Sequence, residues 1–294
     1  MEADGNGSGR IGVEAGLAAG LRNRWYPVLS SADLKPGKVV SIRRLDEDLA
    51  LWRDEQGRAH LFIDRCPHRG AALSLGLVRG EELQCWYHGF RFDGSGQCTA
   101  VPAEGPGSAL PNRVRAGSYP VEEHSGIIWA YVGEVDLFPP PPLRLPEELY
   151  ADDWPFFICR AEWQANWLLA LDNLADPMHG SYLHATSYTL RYGSKEDRMA
   201  VRQLDDGFVV EREQQRGVNF DWTEVHDTGT IWVRLDIPYP KSAGPGGPFR
   251  ILGWATPIDE ASCLVYFLRL RHVSGWQRAL WRFLYKLRLE RNHW

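Results

Sequence analysis

Long apolar runs are missing from this chain. No stretch of its 294 residues approaches the ~20 residues of a membrane span, so no transmembrane helix is expected. The N-terminus has no basic segment followed by an apolar core, so no secretory leader is expected either. Positive charge is also short. The 33 Lys and Arg stand against 38 Asp and Glu, a formal net charge of −5, which argues against nucleic acid as a partner. Cysteine is scarce: five residues do not make a disulfide framework. Cys98, Cys159 and Cys263 are expected to stay reduced in a cytoplasm. No internal repeat is present. What remains is an ordinary globular composition, 44% hydrophobic and 24% charged, with length for two domains that each bury a core.

The few cysteines are not scattered. Cys66-Pro67-His68 is followed, sixteen residues on, by Cys85-Trp86-Tyr87-His88. Two Cys and two His in two tight mixed pairs describe a metal site. Zinc would gather all four around one ion. A [2Fe–2S] cluster would give one iron two thiolates and the other two imidazoles, the Rieske arrangement. Zinc sites usually separate paired ligands by at least two residues. A one-residue gap suits ligands of different irons carried by one tight loop. Gly70 and Gly89 follow the two pairs and let backbone amides approach the sulfurs.

These residues carry a resemblance. From Trp25 to about Tyr131, through CPHRGA and CWYHGFRFD, the segment resembles the Rieske domain of the ring-hydroxylating, or Rieske non-haem iron, oxygenases. It is less similar to the Rieske protein of respiratory complexes, which has two further cysteines. Ala71 and Tyr87 stand at the matching positions here, so that disulfide is excluded. The resemblance implies a [2Fe–2S] cluster of low potential held by Cys66, His68, Cys85 and His88.

The rest of the chain divides around these loops. Residues 1–20 read as a disordered tail. Residues 21–136 alternate short β-runs with turns: Lys38–Arg43, Leu49–Trp52, Ala59–Ile63, Leu83–Cys85, Phe90–Phe92, Val114–Val121 and Ile127–Val132. This predicts a small antiparallel β domain. Residues 137–147 form a proline-rich linker, read as a stiff spacer. Residues 148–294 are the second domain. Strands are expected over Trp154–Trp163, Phe208–Glu211, Gly229–Ile237, Phe249–Ala255 and Cys263–Leu270, with a helix from Asn166 to Asn173. Trp276–Trp294 reads as an amphipathic helix through Leu280, Trp281, Leu284 and Leu287. It is expected to pack on the sheet rather than lie on a membrane. The fold class is therefore α+β, a Rieske β domain followed by a helix-grip-like catalytic domain of antiparallel sheet and helices.

A second metal motif lies in LDNLADPMHGSYLH, residues 171–184. Asp172, Asp176, His179 and His184 are its potential ligands. A non-haem Fe(II) oxygenase needs two His and one carboxylate on one face of the metal, with positions left open. Residues five apart on a regular helix sit roughly 140° apart. A π-bulge or break is therefore expected near Gly180-Ser181. Asp176-Pro177 also has the form of a helix cap followed by a first-turn proline. The string Asn173-x₂-Asp176-x₂-His179-x₄-His184 resembles the iron motif of the same oxygenases. The resemblance makes His179 and His184 iron ligands, and Asp176 the acid that links this iron to the cluster of a neighbouring subunit. The family's third ligand, a carboxylate on the C-terminal helix, has no match. It is expected beyond Trp294, on the reading that the chain stops in mid-helix; Glu290 is a poor substitute.

The resemblance implies a terminal oxygenase. Electrons from NAD(P)H would arrive through a separate reductase and, in some systems, a ferredoxin. O₂ and a small organic substrate, aromatic by preference, would give hydroxylation, dihydroxylation or oxidative demethylation. The DPMH context resembles the demethylase and monooxygenase branches. The expected assembly is a homotrimer in the cytoplasm, without nucleic acid or membrane. The alternative is a Rieske-type electron-transfer protein whose second domain is non-catalytic.

Overall fold

The structure is a computed structural model that describes residues 17–111, 113–186, 190, 195–215, 221–239 and 246–286. Most of the expected tail (residues 1–16) and the end of the expected last helix (residues 287–294) lie outside these. Two compact units result. The first runs to Leu143 and includes Thr256–Cys263; the second comprises Arg144–Ala255 and the chain from Leu264 onward.

The first unit is all β. Its strands are β1 (Arg24–Ser30), β2 (Lys38–Arg44), β3 (Glu47–Arg53), β4 (Ala59–Ile63), β5 (Leu77–Arg79), β6 (Glu82–Gln84), β7 (Arg91–Asp93), β8 (Cys98–Ala100), β9 (Ser118–Tyr119), β10 (Val121–His124) and β11 (Ile127–Val132). They form three sheets, ordered β1-β11-β10, β2-β3-β4-β9 and β5-β6-β7-β8. The run Leu49–Trp52 is apolar throughout because both faces of β3 are covered. Leu49 and Leu51 enter one core with Leu61 and Ile128. Ala50 and Trp52 enter another with Phe62, Cys66 and Cys85. The single strand expected over Val114–Val121 is instead broken. Gly117 packs where a Cβ would meet the Ile63 side chain at 2.7 Å, and Pro120 offers no N–H to a ladder. Ser118–Tyr119 pairs with β4, and the next strand pairs with β11.

The proline run is not a free spacer. Prolines keep their carbonyls as acceptors, and the Trp25 indole N–H donates to the Pro141 carbonyl at 2.8 Å. The Tyr131 hydroxyl donates to the Phe138 carbonyl at 3.1 Å.

The second unit is a seven-stranded sheet. Its strands are β12 (Phe156–Trp163), β13 (Met199–Leu204), β14 (Gly207–Arg212), β15 (Trp222–Asp227), β16 (Ile231–Ile237), β17 (Phe249–Pro257) and β18 (Cys263–Leu270). The order is β12-β18-β17-β16-β15-β14-β13. Neighbours pair antiparallel with Val233 opposite Gly253 and Leu235 opposite Ile251. Three helices accompany it: α1 (Trp167–Ala175), α2 (Gly180–Leu183) and α3 (Gly275–Leu284). One face is apolar. There Leu235, Phe249 and Ile251 pack with Trp281 and Tyr285. Phe157 stacks on Tyr285 at 3.7 Å, and Trp281 meets both edge-on. Such pairs add about 0.5–1.5 kcal/mol each to the burial itself. The buried side chains are thus Trp281 within α3 and Tyr285 just past its end, one turn apart. Leu280 and Leu284, expected to face the sheet, are only half-buried.

The opposite face carries charge. Glu148, almost fully buried, accepts from Arg234 Nη1 at 3.1 Å and Arg250 Nη1 at 2.6 Å. Asp236 holds Arg250 bidentately at 2.8 and 2.9 Å. Glu224 accepts from Arg234 Nε at 2.7 Å and bonds the His226 ring at 3.1 Å. His226 reaches Asp206 at 2.8 Å and stacks on Trp232. Among the described residues no helix is long and apolar enough to cross a membrane.

Candidate metal centres

The two Cys–His loops are near copies of one another. In the first, Cys66 N donates to the Ala71 carbonyl at 2.8 Å, and Gly70 N donates to the Cys66 carbonyl at 2.8 Å. In the second, Cys85 N donates to the Phe90 carbonyl at 2.8 Å, and Gly89 N to the Cys85 carbonyl at 3.1 Å. Both closures require a residue with positive φ, and Gly70 and Gly89 each have φ of 72°, a conformation open to glycine at little cost. The first loop leaves β4 and the second joins β6 to β7, so rigid strands hold both.

The four donors then sort by element, not by loop. Cys66 and Cys85 lie inside, each about 2% exposed or less, in one buried cluster. The rings of His68 and His88 meet at the surface, centroids 4.8 Å apart and edge to face. Two thiols together and two imidazoles together suit two irons with different ligands, and not one tetrahedral ion. Burial pushes the Cys66 thiol up to about 11. Cys85 adds to that rise, while the main-chain N–H groups of His68 and Arg69 oppose it. Bound cationic iron would reverse this balance, since a coordinating thiol is deprotonated outright. The donor set therefore fits a [2Fe–2S] group. Phe90 was not singled out by sequence reasoning. Its ring stacks on His68 at 4.6 Å and 17° and holds that imidazole in place. Tyr87 lies against His88 at 3.9 Å and Trp86 against Tyr87, and both are more than half exposed.

The second motif folds as its residue types dictate. Asn166 caps α1, its Oδ1 accepting from Leu168 N at 2.9 Å. The helix stops at Ala175 because Asp176 precedes Pro177, and that position disfavours the helical region. Asp176 is extended, with φ −90° and ψ 107°. Its carboxylate caps the next turn: Oδ1 accepts from Met178 N at 2.6 Å and Oδ2 from His179 N at 3.2 Å. The His179 ring is fixed by the backbone. Its Nδ1 lies 2.6 Å from the Asp176 carbonyl, which can only accept, so Nδ1 carries the proton. Nε2 is then the lone-pair nitrogen available to a metal.

Nothing breaks at Gly180-Ser181, contrary to expectation. The turn is continuous there, and the helix ends at His184, with φ −101° and ψ 32°. The two His flank a single helical turn, and that is enough to bring their rings to 5.3 Å. Burial and the neighbouring His179 lower the basicity of His184, which favours the neutral, ligating form. Asp176 Oδ2 is 3.7 Å from His179 Nδ1, the wrong nitrogen for a shared metal. Asp172 is exposed on α1. Among the described residues no third carboxylate joins the His pair; Glu290 and the segment beyond Trp294 lie outside them. Two imidazoles of a facial triad are present, and the residues fit that centre in part.

Among the other described histidines, His60 bonds Asp54, His124 bonds the Ser125 hydroxyl and His272 bonds Asp153. All five cysteines are free.

Comparison with known proteins follows the same division. Residues 24–120 match the Rieske [2Fe-2S] domain, and residues 163–289 match the vanillate O-demethylase oxygenase C-terminal domain. The chain is 40% identical over 258 residues to the 4beta-methylsterol monooxygenase of Methylococcus capsulatus, covering 84% of this chain and 68% of that protein. It is 29% identical over 273 residues to the 5,5'-dehydrodivanillate O-demethylase oxygenase subunit of a Sphingobium, covering 87% of this chain and 59% of that subunit. The fold is also that of the oxygenase in the reduced oxygenase–ferredoxin complex of carbazole 1,9a-dioxygenase. There the TM-score is 0.75 at 23% identity, over 95% of this chain and 78% of that one.

Proposed function

The chain belongs to the Rieske non-haem iron oxygenases, and from that membership we propose that it is the terminal oxygenase of a multicomponent system that oxidises a methyl group on an apolar organic substrate. The observation that carries the reading is the pairing of two centres in one chain. One is a Cys/His loop pair with its imidazoles together at the surface; the other is an Asp176–His179–His184 turn that brings two imidazoles to 5.3 Å. The relatives support methyl oxidation: one is a methylsterol monooxygenase and another an O-demethylase.

Cys66, His68, Cys85 and His88 hold the cluster, and His179 and His184 hold the mononuclear iron. Once bound, the cluster supplies electrons singly and the ferrous centre supplies O₂ activation. The protein's own residues orient the ligands. Phe90 and the glycine-closed loops fix the cluster ligands. The Asp176 carbonyl fixes the His179 tautomer, as partners of metal-bound imidazoles do.

The assembly is a homotrimer with head-to-tail contacts, so that the Asp176 carboxylate, 43% exposed, reaches a cluster histidine of a neighbouring copy. Exposed Trp86 and Tyr87 beside the cluster, and exposed Leu169, Tyr182 and Leu183 on α1 and α2, are suited to such a contact. A reductase, with or without a ferredoxin, delivers the electrons in the cytoplasm.

Metal analysis and turnover test this. The holoenzyme should carry about three irons per chain, two of them with acid-labile sulfide. It should consume O₂ only with a reductase and a methyl-bearing apolar substrate. About two irons per chain and no substrate-dependent uptake would make it an electron carrier instead.

A further inference from the structure

We propose that the outer face of α3 docks on the surface of an anionic lipid bilayer. This goes beyond the oxygenase reading and does not depend on it. The helix is apolar on two sides. Trp281 and Tyr285 are buried in the second unit, at 1% and 2% exposure. On the opposite side Trp276 is 73% exposed and Phe283 60%. Seven residues bring these two back to within about 20° of one another, two turns apart along the axis. Ala279 is exposed between them and Leu280 half-buried beside them. Packing on the sheet therefore accounts for one face of α3 and leaves a second aromatic face uncovered.

Charge indicates the kind of partner. From Ala261 to Leu289 the sequence has no acidic residue; along and just past α3 Arg278, Arg282 and Lys286 supply positive charge, while Arg271 is buried and Arg269 bonds the Tyr285 hydroxyl. This run stands out in a chain of net charge −5. Arg282 and Lys286 are exposed on the shoulder of the aromatic stripe. Exposed Trp and Phe flanked by cations, on a helix too short to span, is the composition of a helix that lies in the membrane interface. The aromatic rings enter the headgroup boundary, and the long cationic side chains reach to lipid phosphates.

Co-sedimentation with vesicles tests the proposal, using the full-length holoenzyme. The vesicles are phosphatidylcholine with or without phosphatidylglycerol. Wild type should pellet with the phosphatidylglycerol vesicles and be released by salt. Arg282→Gln with Lys286→Gln should weaken binding roughly thirtyfold, at about fivefold per cation near the surface. Trp276→Ser with Phe283→Ser should reduce pelleting to background. All four residues are exposed or at the helix end, and cluster absorbance with an unchanged melting temperature identifies a folded variant. If either double variant is unstable, Trp276→Ser alone gives the same reading. Wild type that stays in the supernatant, or variants that pellet as wild type does, would overturn the proposal. So would a fall in oligomer size in the aromatic variant, which would assign the face to a second copy. Turnover on a water-soluble substrate should be unchanged in these variants, so failure here leaves the oxygenase reading intact.

Discussion

Replacing Asp176 separates its two roles. The carboxylate accepts from two main-chain N–H groups, Met178 at 2.6 Å and His179 at 3.2 Å, and it bears the charge proposed to link the centres. Asp176→Asn keeps one acceptor oxygen, so the shorter bond survives. Losing the longer one costs about 0.5–1 kcal/mol, at most about a fivefold loss of order in the turn. Asp176→Ala loses both bonds, a cap deletion of about 1–2 kcal/mol, and should lower iron affinity by about 10–100-fold. The Asn variant should thus keep its cluster signal by electron paramagnetic resonance and most of its mononuclear iron by elemental analysis. Substrate-dependent O₂ uptake should nevertheless collapse if an amide replaces the charged acid at the proposed link between the centres. Mixing the reduced variant with O₂ and substrate in a stopped-flow device reads the cluster reoxidation rate directly. Wild-type reoxidation in Asp176→Asn would reduce Asp176 to a helix cap. Full iron in Asp176→Ala would show that the cap does not position His179.

The charged face of the second sheet gives two further predictions. Burial disfavours a charged His226 ring, but Glu224 and Asp206 outweigh it and hold its pKa above the ordinary value. A raised folded-state pKa stabilises the protein fully below the unfolded value of about 6.5, and that stability is lost as pH rises through the folded value. Melting temperature should therefore fall over that window, and the His226→Gln variant should show a flatter profile; identical profiles would refute the assignment. Glu148→Ala strands two guanidiniums, each of which keeps another carboxylate. The expected loss is about 1–3 kcal/mol, below the usual range for a broken buried pair. It should be read from the urea midpoint of the second unit, and no shift would mean the network is strengthless.

The cluster loops were legible because their chemistry is local. Cys, His and Gly at fixed offsets demand a tight turn, and the turns formed as read. The iron turn was half legible: Asp176-Pro177 announced the cap, but the rotation needed to bring His184 round came from the helix end and not from a bulge. β13 and β15 were not legible. Most of β13 is exposed, so no apolar alternation marks it. In β15, Glu224 and His226 sit where apolar residues would ordinarily mark a strand, because ion pairs satisfy that face. Trp281 was read correctly on the inner face of α3, but Tyr285 was missed, because its burial comes from stacking on Phe157, which lies far away in sequence.

The turn between β17 and β18 has a consequence for recombination. Thr256 Oγ1 donates to the Pro27 carbonyl, and Leu45 and Asp46 N–H groups donate to the carbonyls of Pro257 and Ile258. These eight residues belong with the N-terminal unit although they are encoded some 115 positions after the proline run. A chimera that exchanges partners at the prolines would inherit this piece from the wrong parent, putting the Thr256 side-chain bond and the seating of two main-chain bonds at risk. A library shuffled between relatives should therefore use a second crossover on either side of residues 256–263, so that each parent's N-terminal half travels with its own hairpin tip.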